Sequence, residues 1–158
     1  MAFRLQALLD IKRRAEDEAE RAVATAITAR AKVEARQKEL EEIANTARAR
    51  VKQALAEAAA TPSADVGEGL ARERFRKRLA ELAAQREAEA LAHRKGPLAA
   101  AERAEKEARA AHLKARQERE ALEKHKAKLA AEERKVAERR NEDMISDLAI
   151  AAHFKKQS

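Results

Sequence analysis

Apolar side chains recur every seven residues along most of this chain. One seam runs Leu5, Lys12, Ala19, Ala26, Val33, Leu40, Ala47 and Ala54. A second runs Ala101, Ala108, Ala115, Leu122, Leu129, Val136, Asp143 and Ile150. A strict seven-residue repeat keeps one face of an α-helix turned toward a partner helix and imposes a left-handed supercoil. Two places interrupt the pattern. The stretch TPSADVGEG, residues 61–69, joins Pro62, Gly67 and Gly69 to the cap-forming Ser63 and Asp65. At Gly96-Pro97 the proline lacks an amide donor and disfavours helical geometry in the residue before it. The pattern therefore predicts an all-α protein, a single elongated coiled-coil domain over residues 1–158. Its parts are an arm over 3–58, a loop over 61–69, a short tip helix over 70–95 and a second arm over 98–155. At 1.5 Å rise per residue each arm is roughly 80–85 Å long, and arms of equal length suggest an antiparallel two-helix hairpin with the short helix at its tip.

Register follows from fitting the two seams together. Pairing positions that sum to 155 sets Leu5 against Ile150, Lys12 against Asp143, Ala19 against Val136, Ala26 against Leu129 and Val33 against Leu122. Large groups then face small ones, which keeps layer volume even, and the charged layer is an opposite pair. Exposed ion pairs contribute only about 0.2–1 kcal/mol each, but they penalise wrong registers. In this register Phe3, Leu5, Leu8, Leu9 and Ile11 come beside Met144, Ile145, Leu148, Ile150 and Phe154. The open end of the hairpin would carry the largest apolar cluster, either as a clamp on the termini alone or as a clamp that also offers a docking surface.

Composition narrows the function classes. The 158 residues include three Gly, two Pro, three Phe and neither Trp, Tyr nor Cys, which suits a thin helical rod and excludes disulfides and thiolate metal sites. The absence of cysteine fits a reducing cytosol. No run approaches the ~18 apolar residues of a membrane span, and the start lacks a secretion-signal layout. The net charge of +7 is spread along the chain rather than gathered in a basic tail. His93, His112, His125 and His153 never fall at a metal-binding i, i+3 or i+4 spacing. No phosphate-cradling glycine loop and no nucleophile elbow is present. Neither a catalyst, a metal nor a cofactor is expected. RERFRKR, residues 72–78, gathers five cations around Phe75. With one aromatic for stacking it is a poor nucleic-acid platform. Phe75, Leu79, Leu82 and Arg86 instead form one helical stripe, fit to pack on the hairpin tip or to receive a partner.

The opening Phe3-Arg4-Leu5-Gln6-x-Leu8-Leu9, followed by Lys12-Arg13 and Glu16, resembles the N-terminus of the bacterial type III export stalk proteins, FliJ and its YscO-type counterparts. The resemblance implies a non-enzymatic cytoplasmic stalk at the inner-membrane export apparatus, similar to the central shaft of rotary ATPases. Arms of equal length favour a monomer in isolation, since a parallel dimer would leave them unexplained. The terminal end of such a stalk would enter a hexameric export ATPase through Phe3, Leu5, Leu8, Leu9, Ile11, Met144, Ile145 and Leu148. Its tip would meet the export-gate membrane protein through Phe75, Leu79, Leu82 and Arg86, and the family also binds substrate-chaperone complexes. Flagellar members carry a His where Arg86 stands and tyrosines on the first arm, where Ile43 and Ala47 are nearest. A generic coiled-coil scaffold or holdase-type chaperone is the alternative. An architectural nucleic-acid binder is the third reading.

Overall fold

The computed structural model describes residues 2–157, and side chains over 4–156. It is an all-α helical hairpin. Helix α1 spans Ala2–Ala60, α2 spans Val66–His93, a π-helical turn occupies Arg94–Leu98, and α3 spans Ala99–Gln157. Alanine and long unbranched charged side chains lose little rotamer freedom in a helix, so α1 continues for 59 residues. It stops where Thr61 donates its amide to the Glu57 carbonyl at 3.0 Å and Pro62 has no amide to continue the ladder. Asp65 then turns to extended geometry (φ −112°, ψ 135°) and α2 begins.

The turn is shorter than expected, and Gly96-Pro97 does not end a helix. The chain passes from α2 through the π turn into α3 without a break. At the end of the π turn the Ala99 amide reaches back five residues to the Arg94 carbonyl. The wider turn accommodates a proline that has no amide to donate and whose ring would crowd the preceding turn of a regular α-helix. It also adds one residue to the heptad count. Inward positions in α2 run Arg76, Leu79, Ala83, Arg86, Ala90 and His93, and resume at Leu98, Ala101, Glu105 and Ala108. The step from His93 to Leu98 is five residues where a heptad seam takes four. There is thus no separate tip helix.

The chain divides into two compact units, one made of residues 1–19 with 111–158, the other of residues 20–110. In the first unit the start of α1 pairs antiparallel with α3. Lys12 Nζ meets Glu118 at 2.7 Å, Arg13 meets Glu123 at 3.2 Å, the Arg119 guanidinium donates to Glu16, and Lys126 donates to Gln6. In the second unit Arg30 bonds Glu105 at 3.1 Å, Arg48 bonds Glu87 at 2.7 Å, and Arg94 bonds Glu41. Gln37 is buried and donates to the Ala90 carbonyl at 3.2 Å, while its carbonyl oxygen lies 2.9 Å from His93 Nδ1.

Both seams identified in the sequence face inward, but their register is different. All eight members of the α1 seam are half-buried, as are Ala101, Ala108, Ala115, Leu122 and Leu129. Val136, Asp143 and Ile150 are exposed. The pairings of Glu16 with Arg119 and of Arg30 with Glu105 set Leu5 level with Leu129 rather than Ile150. Those two positions are 21 residues apart, three whole heptads, and a heptad seam cannot distinguish registers that differ by whole heptads. The expected pairs Leu5–Ile150 and Lys12–Asp143 do not form. Residues 130–156 are exposed throughout.

The apolar core is correspondingly small. Leu9, Ala44, Ala83 and Ala90 are its buried members, beside the polar Gln37 and Glu105. Second-seam positions in α1 include Leu9, Glu16, Val23, Arg30 and Gln37, so charged and amide groups share the interior with alanine. A polar group removed from water needs a partner, and each of Glu16, Arg30 and Gln37 finds one across the helix pair.

Two outcomes follow. Spin labels at positions 5 and 129 should lie within about 20 Å of one another, while labels at 5 and 150 should be separated by roughly 30 Å or more, from 21 residues at 1.5 Å rise; pulsed electron resonance on the isolated protein reads both. Acid should loosen the hairpin. The Arg109 and Arg30 guanidiniums hold the Glu105 carboxyl below its ordinary range. The Lys12 ammonium does the same to Glu118, and Gln37 with Arg94 to Glu41. Carboxylates with lowered native values contribute stability that is present above the ordinary carboxylate range, near pH 4.3, and is lost as pH falls through the lowered values. The melting midpoint should therefore be level from about pH 5 to 7 and drop steadily below about pH 4.

Candidate partner-binding surfaces

Two sets of side chains stand out, and the structure treats them differently. In the terminal set, the Phe3 side chain lies outside the described residues. Leu5 is half-buried, Leu9 is the most enclosed side chain of the group at 3% exposure, and Leu8 and Ile11 are exposed. Met144, Ile145 and Leu148 are 56%, 64% and 63% exposed. The expected joint cluster does not form. Leu5 lies level with Leu129, and the fifteen residues of α3 from there to Met144 place the two groups roughly 22 Å apart along the helix axis. The set is really two surfaces, the start of α1 and the far end of α3. On α3, Met144, Ile145 and Leu148 share one side with Ala137, Asn141 and Ala152, because positions three, four and seven apart fall on one helical face. Among the described residues beyond Lys126, no ion pair ties this stretch down.

The tip set lies in the unit formed by residues 20–110. Leu79 and Arg86 are half-buried, while Phe75 is 58% exposed. Leu79, Leu82 and Arg86 line a groove of about 590 Å³ between α1 and α2. Its other wall is Ile43, Thr46, Ala47 and Arg50, with Glu39 and Glu42 at one end. Arg86 donates to Glu89 and Arg36 to Glu39, both at 2.8 Å. Glu42 and Arg50, eight residues apart on α1, have no ion-pair partner among the described residues. Phe75 does not enter this groove. It lines an adjacent cavity of about 350 Å³ with Ala54, Ala58, Thr61, Arg72 and Arg76. The stripe is therefore split between two neighbouring depressions. On the α1 wall, Ile43 and Ala47 are marked in the sequence only through the resemblance, and it is the structure that brings them beside Leu82.

What such surfaces offer is apolar area beside unpaired charge, the make-up of a contact between proteins. Among the described residues no His, Asp or Glu group is arranged to hold a metal ion. Among the described residues no helix is long and apolar enough to cross a membrane.

The sequence model of the YscO-like proteins matches residues 1–158, the whole chain. The chain belongs to the YscO-like family. That membership associates it with type III protein export and places it in a non-catalytic structural family. No curated protein and no solved structure matches it.

The two terminal surfaces of this YscO-like protein should separate by mutation. Leu9→Ala should destabilise the hairpin by about 2–3 kcal/mol, as expected for a buried Leu truncated to Ala. Met144→Ala and Leu148→Ala should leave the denaturation midpoint unchanged. Urea unfolding followed by circular dichroism measures all three.

Proposed function

We propose that this chain is the central stalk of a type III export apparatus, in the cytoplasm at the inner membrane, inserting its terminal end into the pore of a hexameric export ATPase. The far end of α3 supports this reading best. It presents Met144, Ile145 and Leu148 to solvent on a helix that has passed beyond the helix pair. An exposed apolar stripe of this kind is a partner surface rather than a core. A single helix, about 10–12 Å across with its side chains, also needs less room in a pore than a pair does. The start of α1, with Leu8 and Ile11 exposed, would stand at the rim of the ring, where the hairpin becomes double.

At the other end, Phe75, Leu79, Leu82 and Arg86 would meet the export-gate membrane protein, with Ile43 and Ala47 completing the surface from α1. Stalk contacts at both ends would couple the ATPase to the gate, and substrate chaperones would be handled at the same apparatus. The inter-helix ion pairs serve this role by holding α1 and α3 in one register while load is applied to one end.

The decisive variant is Met144→Ser, Ile145→Ser and Leu148→Ser together. None of these side chains is buried, so helicity and melting midpoint should be unchanged. Retention on the immobilised export ATPase should fall at least tenfold, and stimulation of its ATP hydrolysis should be lost. Full retention and full stimulation by a variant that remains helical would overturn the proposal.

A further inference from the structure

The cavity beside Phe75 holds a charge that the chain itself does not satisfy. Arg72 and Arg76 lie one helical turn apart on the face of α2 turned toward α1. Arg72 is fully employed: one guanidinium nitrogen donates to the Thr61 carbonyl at 3.0 Å and the other bonds Glu68. Arg76 is half-buried in the inward seam, and its Nε is buried without a hydrogen-bond partner. Among buried side-chain nitrogens and oxygens of the described residues it is the one left in that state. The Glu57 carboxylate lines the same cavity, yet it accepts from Gln53 at 2.9 Å and makes no ion pair with Arg76. Arg76 makes no ion pair among the described residues, so an acceptor entering the cavity would pair with its guanidinium once the side chain turns to uncover Nε.

The surroundings select the acceptor. The cavity floor is Ala54 and Ala58, and its outer wall is the exposed ring of Phe75. The apolar line then continues by one turn to Leu79 and on to Leu82 and Ile43 in the neighbouring groove. In that groove Arg50 and Glu42 both lack an ion-pair partner among the described residues, so the draw on negative charge comes from Arg76 itself. Glu57 inside the cavity opposes a dianion more than a monoanion, which favours carboxylate over phosphate. The apolar run and the single aromatic favour a peptide over a nucleic acid. We infer that the Arg76 cavity takes the carboxylate of an Asp or Glu on a partner segment whose apolar side chains cover Phe75 and run on along Leu79 and Leu82. This rests on reading the tip face as a partner contact and adds the chemistry by which that partner is recognised.

The test uses the full-length protein labelled with nitrogen-15 and three probes. One is an N-acetylated amphipathic peptide with three leucines at helical spacing and one glutamate. The second is its glutamine counterpart, and the third is sodium acetate. The glutamate peptide should bind at least tenfold more tightly than the glutamine peptide and move the Arg76 Nε–H resonance downfield. Acetate should move the same resonance without the leucine contacts, at much higher concentration. The tenfold preference should vanish in Arg76→Gln. Arg76→Lys keeps the stem in the seam but lacks the Nε–H, and it should also lose the preference, which decides the matter if Arg76→Gln unfolds. Glu57→Gln should strengthen binding of the glutamate peptide.

Equal affinity for the two peptides, no saturable binding of either, or an Arg76 Nε–H already bonded to Glu57 in the free protein each overturns the inference. Retention on the gate protein separates the two readings. A gate that holds wild type and Arg76→Gln alike keeps the contact and rejects the carboxylate. A gate that holds neither rejects the contact, and the peptide titration still decides the chemistry.

Discussion

Alanine against alanine closes a helix pair tightly but carries almost no information about which alanines should meet. In this hairpin that choice falls to polar groups in the second seam. Glu16 finds Arg119, Arg30 finds Glu105, and Gln37 finds the Ala90 carbonyl and His93. A slip of one heptad sets Glu16 against Lys126 or His112, but it leaves Arg30 against His112 or Leu98 in place of Glu105. The attraction of a half-exposed ion pair is modest, yet the penalty for mismatching it is larger, and it is the mismatch that selects one pairing from several. Everything downstream depends on that selection, including where the two depressions near the tip form and how much of α3 is left beyond the end of α1.

The π turn solves a second geometric problem. Gly96 and Pro97 would ordinarily end a helix, and a break there would send α3 off in a new direction. By widening one turn the chain keeps a continuous helix and shifts its heptad frame by a single residue. Both Ala90, before the turn, and Glu105, after it, then face α1. An added Cβ at Gly96 would meet nothing within 4 Å, so packing does not require glycine at that position.

Much of this architecture was legible in the sequence. The helical class, the two long arms and the phase of both primary seams can be read from the seven-residue repeat of Leu, Val and Ala. What the repeat conceals is any shift by a multiple of itself. Lys12 against Asp143, with Glu16 near Arg139 and Arg140, satisfies charge in the wrong register as well. The complementary charges at Glu16 and Arg119, and at Arg30 and Glu105, lie in the other seam and point to a pairing three heptads away. Gly96-Pro97 misled for a different reason, since the rule that proline ends a helix assumes α geometry. The tip stripe was found as a stripe, but its division into two depressions depends on α1 residues that only the correct register brings near. An unpaired guanidinium nitrogen leaves no trace in a sequence at all.

The length of α3 left uncovered is open to attack in a way the paired part is not. Amides shielded by nothing but their own side chains open readily, because a lone helix in water gains little from each turn it keeps. Arg134, Lys135, Arg139 and Arg140 stand in this stretch, each a cleavage point for proteases that cut after cationic residues. Limited proteolysis of the isolated chain would then begin within residues 130–156. A partner seated along the same stretch would shield these sites.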